Sequence, residues 1–384
     1  MTNSLALGNA TILDFLERTA PPTPCLVIDL DIVRDNYLRL ADAWPTTRIC
    51  YAVKANPAPE VVGLLAGLGA SFDVASTEEI ELCLAAGAAP ESLSYGNTIK
   101  KAADIAFAHE RGVALFTTDS IGDLEHIAGH APGSGVFCRV LVEPAGSATP
   151  FGRKFGCDEE MAGDLLLRAA ELGLRPRGVS FHVGSQQTDP NAWRAGIEHA
   201  AHIGRRLAGH GVTLDAINLG GGFPAAYQED VPPLSAYAAA VEQELAAHFG
   251  ATPPATLIEP GRAVVADAGV IRSAVVLVAR KSTRDEHRWV YLDVGRYGGL
   301  AETEGEAIAY RLATRHDGGP DGPVVLAGPT CDGDDVIYQR RPYRLPLALA
   351  AGDHVDILSA GAYTASYSSV SFNGFAPLRT YCVG

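Results

Sequence analysis

The sequence has no run of about 18 or more residues that is both apolar and free of charge, which excludes an ordinary transmembrane helix. It also lacks paired cysteines. The seven, Cys25, Cys50, Cys83, Cys138, Cys157, Cys331 and Cys382, are scattered and form no C-x-x-C pair. An odd, dispersed set argues against a disulfide framework and against a zinc site, and no metal is expected. Reduced thiols in a cytoplasmic protein fit it. The opening MTNSLALGNATILDFLERTAPPTP has no basic n-region and carries Asp14 and Glu17, so it does not read as a secretion signal. Positive charge is in deficit: 30 Lys and Arg against 45 Asp and Glu leave a formal net charge of −15. That balance disfavours nucleic acid or an anionic membrane as a partner. It would favour a cationic ligand, although acidic solubility alone explains it as well.

What is present is a regular alternation. The 384 residues, 47% hydrophobic and 20% charged, are enough for one large core and a second, smaller domain. After a strand-like run at Pro24–Leu30, short apolar runs recur at Ile49–Val53, Ser71–Val74, Leu93–Tyr95, Ala114–Thr117, Val136–Val142, Gly178–His182, Ile217–Leu219 and Thr256–Ile258. Stretches with helical spacing lie between most of them, such as Pro59–Leu68, Thr77–Ala86, Lys100–Glu110 and Met161–Leu172. Strands alternating with helices imply parallel βαβ units, and these runs imply a (β/α)8 TIM barrel over residues 31–265. Beyond about Ala266 the runs are strand-like and separated by Gly- and Pro-rich turns. A β-rich domain is expected from residues 266–384, with residues 1–30 able to join it.

In such a barrel the active site lies at the C-terminal ends of the strands. Lys54, Asp73, Asn97, Arg139, His182, Gly220–Gly222 and Glu259 all stand at or near those ends. A lysine after an apolar strand often just snorkels to solvent; the functional reading of Lys54 is a Schiff-base lysine, whose desolvated amine loses its proton readily. Three glycines can be a plain turn. They also let backbone N–H groups approach an anion closely, and phosphate sites in barrels favour the loops after the last two strands, where EPGR with Arg262 also lies. Glu259 is a surface acid, an ion-pair member, or the partner of a cofactor ring nitrogen. His182 is a core histidine or a ring stacked on a cofactor. Cys331, in GPTCDGDD, is inert packing or a proton donor.

The segments YAVKAN, FDVAS, FHVGSQ, LGGGFP, EPGR, GPTCDGDD and GAYT resemble, in this order, the fold-type III pyridoxal-phosphate (PLP) decarboxylases. That group includes eukaryotic-type ornithine decarboxylase and its bacterial lysine/ornithine relatives. The resemblance covers about Pro24 to Phe375 and implies PLP as cofactor. The reaction it implies takes a small amino acid, L-ornithine to putrescine, L-lysine to cadaverine, or both. It implies that Lys54 links to the cofactor, that Glu259 holds the ring nitrogen, and that His182 stacks on the ring. It implies phosphate binding by Ser185, Gly221, Gly222, Arg262 and Tyr363, with Asp73 and Arg139 supporting the Lys54 side. Cys331 would donate the Cα proton and Asp332 would bind the distal amine, both acting in the partner subunit's site, so the unit would be a homodimer. Lys154 and Asp335 match a cross-subunit salt bridge.

The loop at Gly298–Ile308 resembles the bacterial lysine/ornithine type. Its Glu302, Glu304 and Glu306 stand where an acidic specificity element is expected, and each reads equally as a solvated turn residue. The Cys331-Asp332 pair, and the lack of a match to arginine-bearing second-carboxylate motifs in Gly295–Tyr310, set the chain apart from diaminopimelate decarboxylases. A carboxylate at Glu259 sets it apart from racemases of the same barrel type. A decarboxylase of a modified diamino acid and a non-catalytic regulatory homologue are the remaining alternatives.

Overall fold

The computed structural model describes residues 10–143, 147–149 and 152–384. Residues 1–9 of the expected β-rich domain lie outside the described residues. The chain divides into two compact units. One comprises Arg34–Pro224 and Val231–Gly261; the other comprises Met1–Val33, Ala225–Asp230 and Arg262–Gly384.

The first unit is a closed barrel of eight strands, all paired in parallel. In chain order they are Arg48–Ala52, Ser71–Val74, Leu93–Tyr95, Leu115–Thr118, Gly135–Arg139, Arg175–Ser180, Ala216–Asn218 and Ala255–Ile258. Closure comes from the last strand pairing with the first, Ile258 opposite Ile49. The strands are short and most are rich in apolar residues, because their faces are covered; Arg175–Ser180 departs from this, starting on an exposed Arg175. Cys50, Phe137, Ala216 and Leu257, from four strands, form one buried cluster; truncating a buried Phe such as Phe137 to Ala costs about 3–5 kcal/mol.

The intervening helices start where the sequence offers starts. Pro59 opens Pro59–Gly67 at a position where its missing N–H costs nothing. Ser76 caps Thr77–Ala85 by accepting from the Glu79 N–H, and Glu79 Oε2 accepts in turn from Ala75 N–H at 2.7 Å. Asp158 caps Glu159–Glu171 in the same way through Met161 N–H.

The second unit is a curled, mostly antiparallel sheet. Its spine is Gly269–Ala279, which pairs with Cys25–Asp29, His354–Leu358 and Arg288–Leu292. The first and last strands of the chain, Cys25–Asp29 and Arg379–Val383, pair in parallel. Helix Ala10–Thr19 buries Ile12 and Leu16, one turn apart, on Cys25, Val27, Val270 and Leu358. Among the described residues no helix is long and apolar enough to cross a membrane.

Candidate functional site

The barrel brings together Lys54, Asp73, Arg139, His182, Gly220–Gly222 and Glu259. Lys54 lies in a single 3-10 turn, Val53–Ala55, directly after the first strand. Its Nζ sits 2.6 Å from Asp73 Oδ2; Asp73 is buried, while the Lys54 side chain is 45% exposed. Asp73 can stand there because residue 96 is glycine: a Cβ at Gly96 would fall 2.0 Å from Asp73 Oδ1. Arg139 ends the fifth strand, with its guanidinium over the Phe155 ring at 5.0 Å. Burial pulls Arg139 below its ordinary value, while the charges of Glu259, Asp73 and Asp119 act the other way.

His182 follows the sixth strand. Its Nδ1 accepts the Gly184 N–H at 3.0 Å, so the ring proton of the neutral form is on Nε2. Burial, with the charges of Arg139 and Lys54, pushes its pKa well below the ordinary histidine value, so His182 is a neutral ring at neutral pH.

Glu259 follows the eighth strand. Its carboxylate Oε1 accepts Asn218 Nδ2 at 2.5 Å, and among the described residues no basic side chain forms an ion pair with it. Burial and the Asp73 charge push it up to about 7, against the pull of Lys54, Asn218 and Arg139. The glycine run after the seventh strand is demanded by close approach. At Gly220, φ is +68° and a Cβ would fall 2.0 Å from Phe181 O. At Gly221 a Cβ would fall 2.5 Å from Glu259 O and 3.1 Å from His182 Nε2. These glycines therefore let the loops bearing His182 and Glu259 converge. Ser185 opens the short strand Ser185–Gln187, which pairs with Ser147–Thr149.

Two participants had no assignment from sequence, Asn218 and Gly96. The signal for Asn218 is a polar letter inside an apolar run, two residues ahead of three glycines. Gly96 carried no signal, because its need for a missing Cβ depends on a neighbouring strand. Asn97 is structural: its Oδ1 accepts Ile99 N–H at 3.1 Å.

The second unit holds the other expected residues. Arg262 is buried, donates to Tyr227 Oη at 2.7 Å and to Glu302 Oε1 at 2.6 Å, and lies 4.9 Å from the Tyr363 ring centre. Burial opposes its charge, but Tyr227 and Glu302 outweigh that and hold it protonated. Glu302 is thus committed to Arg262. Glu304 is exposed, 3.6 Å from Arg296. Glu306 accepts the backbone N–H groups of Gln339, Arg340 and Arg341 at 2.8 Å each.

Cys331 is exposed, and its backbone N–H donates to Asn373 Oδ1 at 3.0 Å. Asp332 is exposed and accepts Asp334 N–H at 2.8 Å. Asp335 is buried: Oδ1 accepts Arg296 N–H, and Oδ2 accepts both Thr330 N–H and Oγ1. A salt bridge from the exposed Lys154 would have to compete with those bonds.

Residues 30–266 match the family model described as pyridoxal-dependent decarboxylase, pyridoxal binding domain. The chain is 36% identical to lysine/ornithine decarboxylase of Selenomonas ruminantium, over 92% of this chain and 88% of that protein. It is 34% identical to the chloroplastic ornithine decarboxylase of Nicotiana glutinosa, over 92% and 82% of the two chains. It also resembles the crystal structure of a lysine/ornithine decarboxylase from Vibrio vulnificus complexed with cadaverine. That match has a TM-score of 0.87 and 32% identity, covering 100% of this chain and 99% of that one.

Proposed function

The chain belongs to the pyridoxal-dependent decarboxylase family, and from that premise we propose that it decarboxylates a small basic L-amino acid: L-ornithine to putrescine, L-lysine to cadaverine, or both. Its cofactor is pyridoxal 5'-phosphate. The observation that carries the reading is Glu259, a part-buried carboxylate just after a strand end with a neutral amide as its donor. Such a group is relieved by a cationic N–H, which is what a protonated pyridine nitrogen offers. The half-exposed Lys54 amine and the neutral His182 ring in the same barrel mouth fit the cofactor as well.

When bound, PLP supplies an electron-withdrawing ring that accepts the charge left at Cα by loss of CO2. Glu259 would hold the ring nitrogen protonated, Lys54 would anchor the cofactor, and His182 would pack on its face. Asp73 and Arg139 would steady the Lys54 side. The proposal assigns the phosphate to Ser185, Gly221, Gly222, Arg262 and Tyr363. It assigns Cα proton delivery to the Cys331 thiol and the distal ammonium to the Asp332 carboxylate, both acting in a partner subunit's site, so the working form is a homodimer. Cytoplasmic residence accords with cysteines that are not joined in disulfides.

The test is product analysis. The purified chain with PLP is given ornithine, lysine, arginine and diaminopimelate, and released amines and CO2 are identified. Putrescine or cadaverine is expected. Racemised amino acid without CO2, or release from diaminopimelate alone, would overturn the reading.

A further inference from the structure

Asn218 is 1% exposed and ends the seventh barrel strand. Its side chain makes two hydrogen bonds that fix its orientation. The backbone N–H of Gly220 donates to Oδ1 at 2.9 Å. A backbone N–H cannot accept, so Oδ1 must face it and the NH2 group must face the other way, towards Glu259. Nδ2 then donates to Glu259 Oε1 at 2.5 Å. The same turn is tied back through Glu259, whose backbone N–H donates to Gly220 O at 2.8 Å. Side chain, glycine turn and carboxylate therefore form one closed unit, entirely within the barrel.

We propose that Asn218 is a positioning residue for the reaction: its pinned amide, which can only donate, keeps Glu259 an oriented carboxylate. An amide N–H binds an ionised carboxylate more strongly than a protonated one, and so favours the ionised acid. The groups around Glu259 make this donor decisive. Burial and the Asp73 charge favour protonation, while Lys54, Asn218 and Arg139 favour ionisation, and the balance falls at about 7. Near that balance one charge-assisted hydrogen bond sets which form dominates at neutral pH. The inference rests on the cofactor reading for its purpose, since an anionic Glu259 is what a protonated ring nitrogen needs. The geometry it starts from does not involve the cofactor.

The experiment therefore reads Glu259 directly. The full chain, labelled with carboxyl-13C glutamate and free of PLP, is titrated by NMR, with Glu259 assigned by its loss in Glu259→Gln. Asn218→Ala should raise the Glu259 midpoint by about one to two pH units, the size of one hydrogen bond to a charged group. Asn218→Asp keeps the shape but donates only when protonated, so the two acids should share a proton and titrate in two separated steps. Retention of PLP by Asn218→Ala near pH 7.5 should fall about tenfold or more. A folded Asn218→Ala chain with an unmoved midpoint, or a single unshifted step in Asn218→Asp, overturns the proposal. Wild-type amine release is scored separately, so loss of the decarboxylase reading and loss of this inference are distinguishable.

Discussion

The Lys54 ammonium and the Asp73 carboxylate are joined at 2.6 Å across two neighbouring strand ends, with the acid buried and the amine half-exposed. The pair holds the amine at the barrel mouth while leaving it open to a small molecule. Purified protein with PLP should be yellow, and borohydride should abolish the visible band and fix the pyridoxyl group to one lysine. Peptide mapping should place it on Lys54, and Lys54→Ala should take up no label. A label on another lysine would move the anchor elsewhere.

Glu259 makes stability depend on pH in a defined direction. Its folded-state value of about 7 lies above its ordinary 4.5, so the folded chain binds that proton more tightly than the unfolded one. The contribution is fully present below about pH 4.5 and is lost as pH rises through about 7. Glutamine cannot ionise, so without cofactor Glu259→Gln should gain on the wild type between those limits. The gain should reach at most about 3 kcal/mol near pH 8. Urea unfolding of both proteins across that range tests it; a gap that stays flat with pH means Glu259 titrates normally.

The fold was largely legible because a covered parallel strand must be a short apolar run. All eight barrel runs are strands, with ends off by a few residues; Val136–Val142 overshoots because the strand stops at Arg139. The pair Ser147–Thr149 and Ser185–Gln187 was not legible, since S-A-T and S-Q-Q carry no apolar alternation. Nor was the parallel pairing of Cys25–Asp29 with Arg379–Val383, which joins distant parts of the chain. At the site, charged residues at strand ends were readable by position. Asn218 and Gly96 were not, because their roles depend on what other strands place beside them. The commitment of Glu302 to Arg262 was equally invisible, being set by tertiary packing.

A second ion pair lies deeper and serves the scaffold. Lys100 is fully buried at its side chain, and its Nζ donates to Asp123 Oδ2 at 2.8 Å, Thr117 O at 2.7 Å and Asn97 O at 2.8 Å. Burial pulls its pKa down while Asp123 opposes that. Asp123→Ala should destabilise the chain by about 3–5 kcal/mol, because it leaves a buried charge without its counter-charge. Replacing both members, Lys100→Met with Asp123→Leu, should recover much of that loss. Denaturant melts of the three proteins decide it; a loss under about 1 kcal/mol in Asp123→Ala would mean that the carbonyls alone satisfy the ammonium.

The shared-site proposal makes a quantitative demand. Lys54 stands in the barrel, and Cys331 is an exposed thiol in the other compact unit. If one active site takes Lys54 from one subunit and Cys331 from its partner, Lys54→Ala and Cys331→Ala should each be nearly inactive alone. Mixed and allowed to exchange, the two variants form heterodimers in which one site collects both defects and the other collects none. Equal amounts exchanging at random give about half heterodimers, each with one sound site of two. The mixture should then regain roughly a quarter of wild-type decarboxylation. Exchange is verified independently by a size or affinity tag on one variant. If exchange is complete and activity does not return, each chain builds its own site, and Cys331 either serves the Lys54 of its own chain or is not the proton donor.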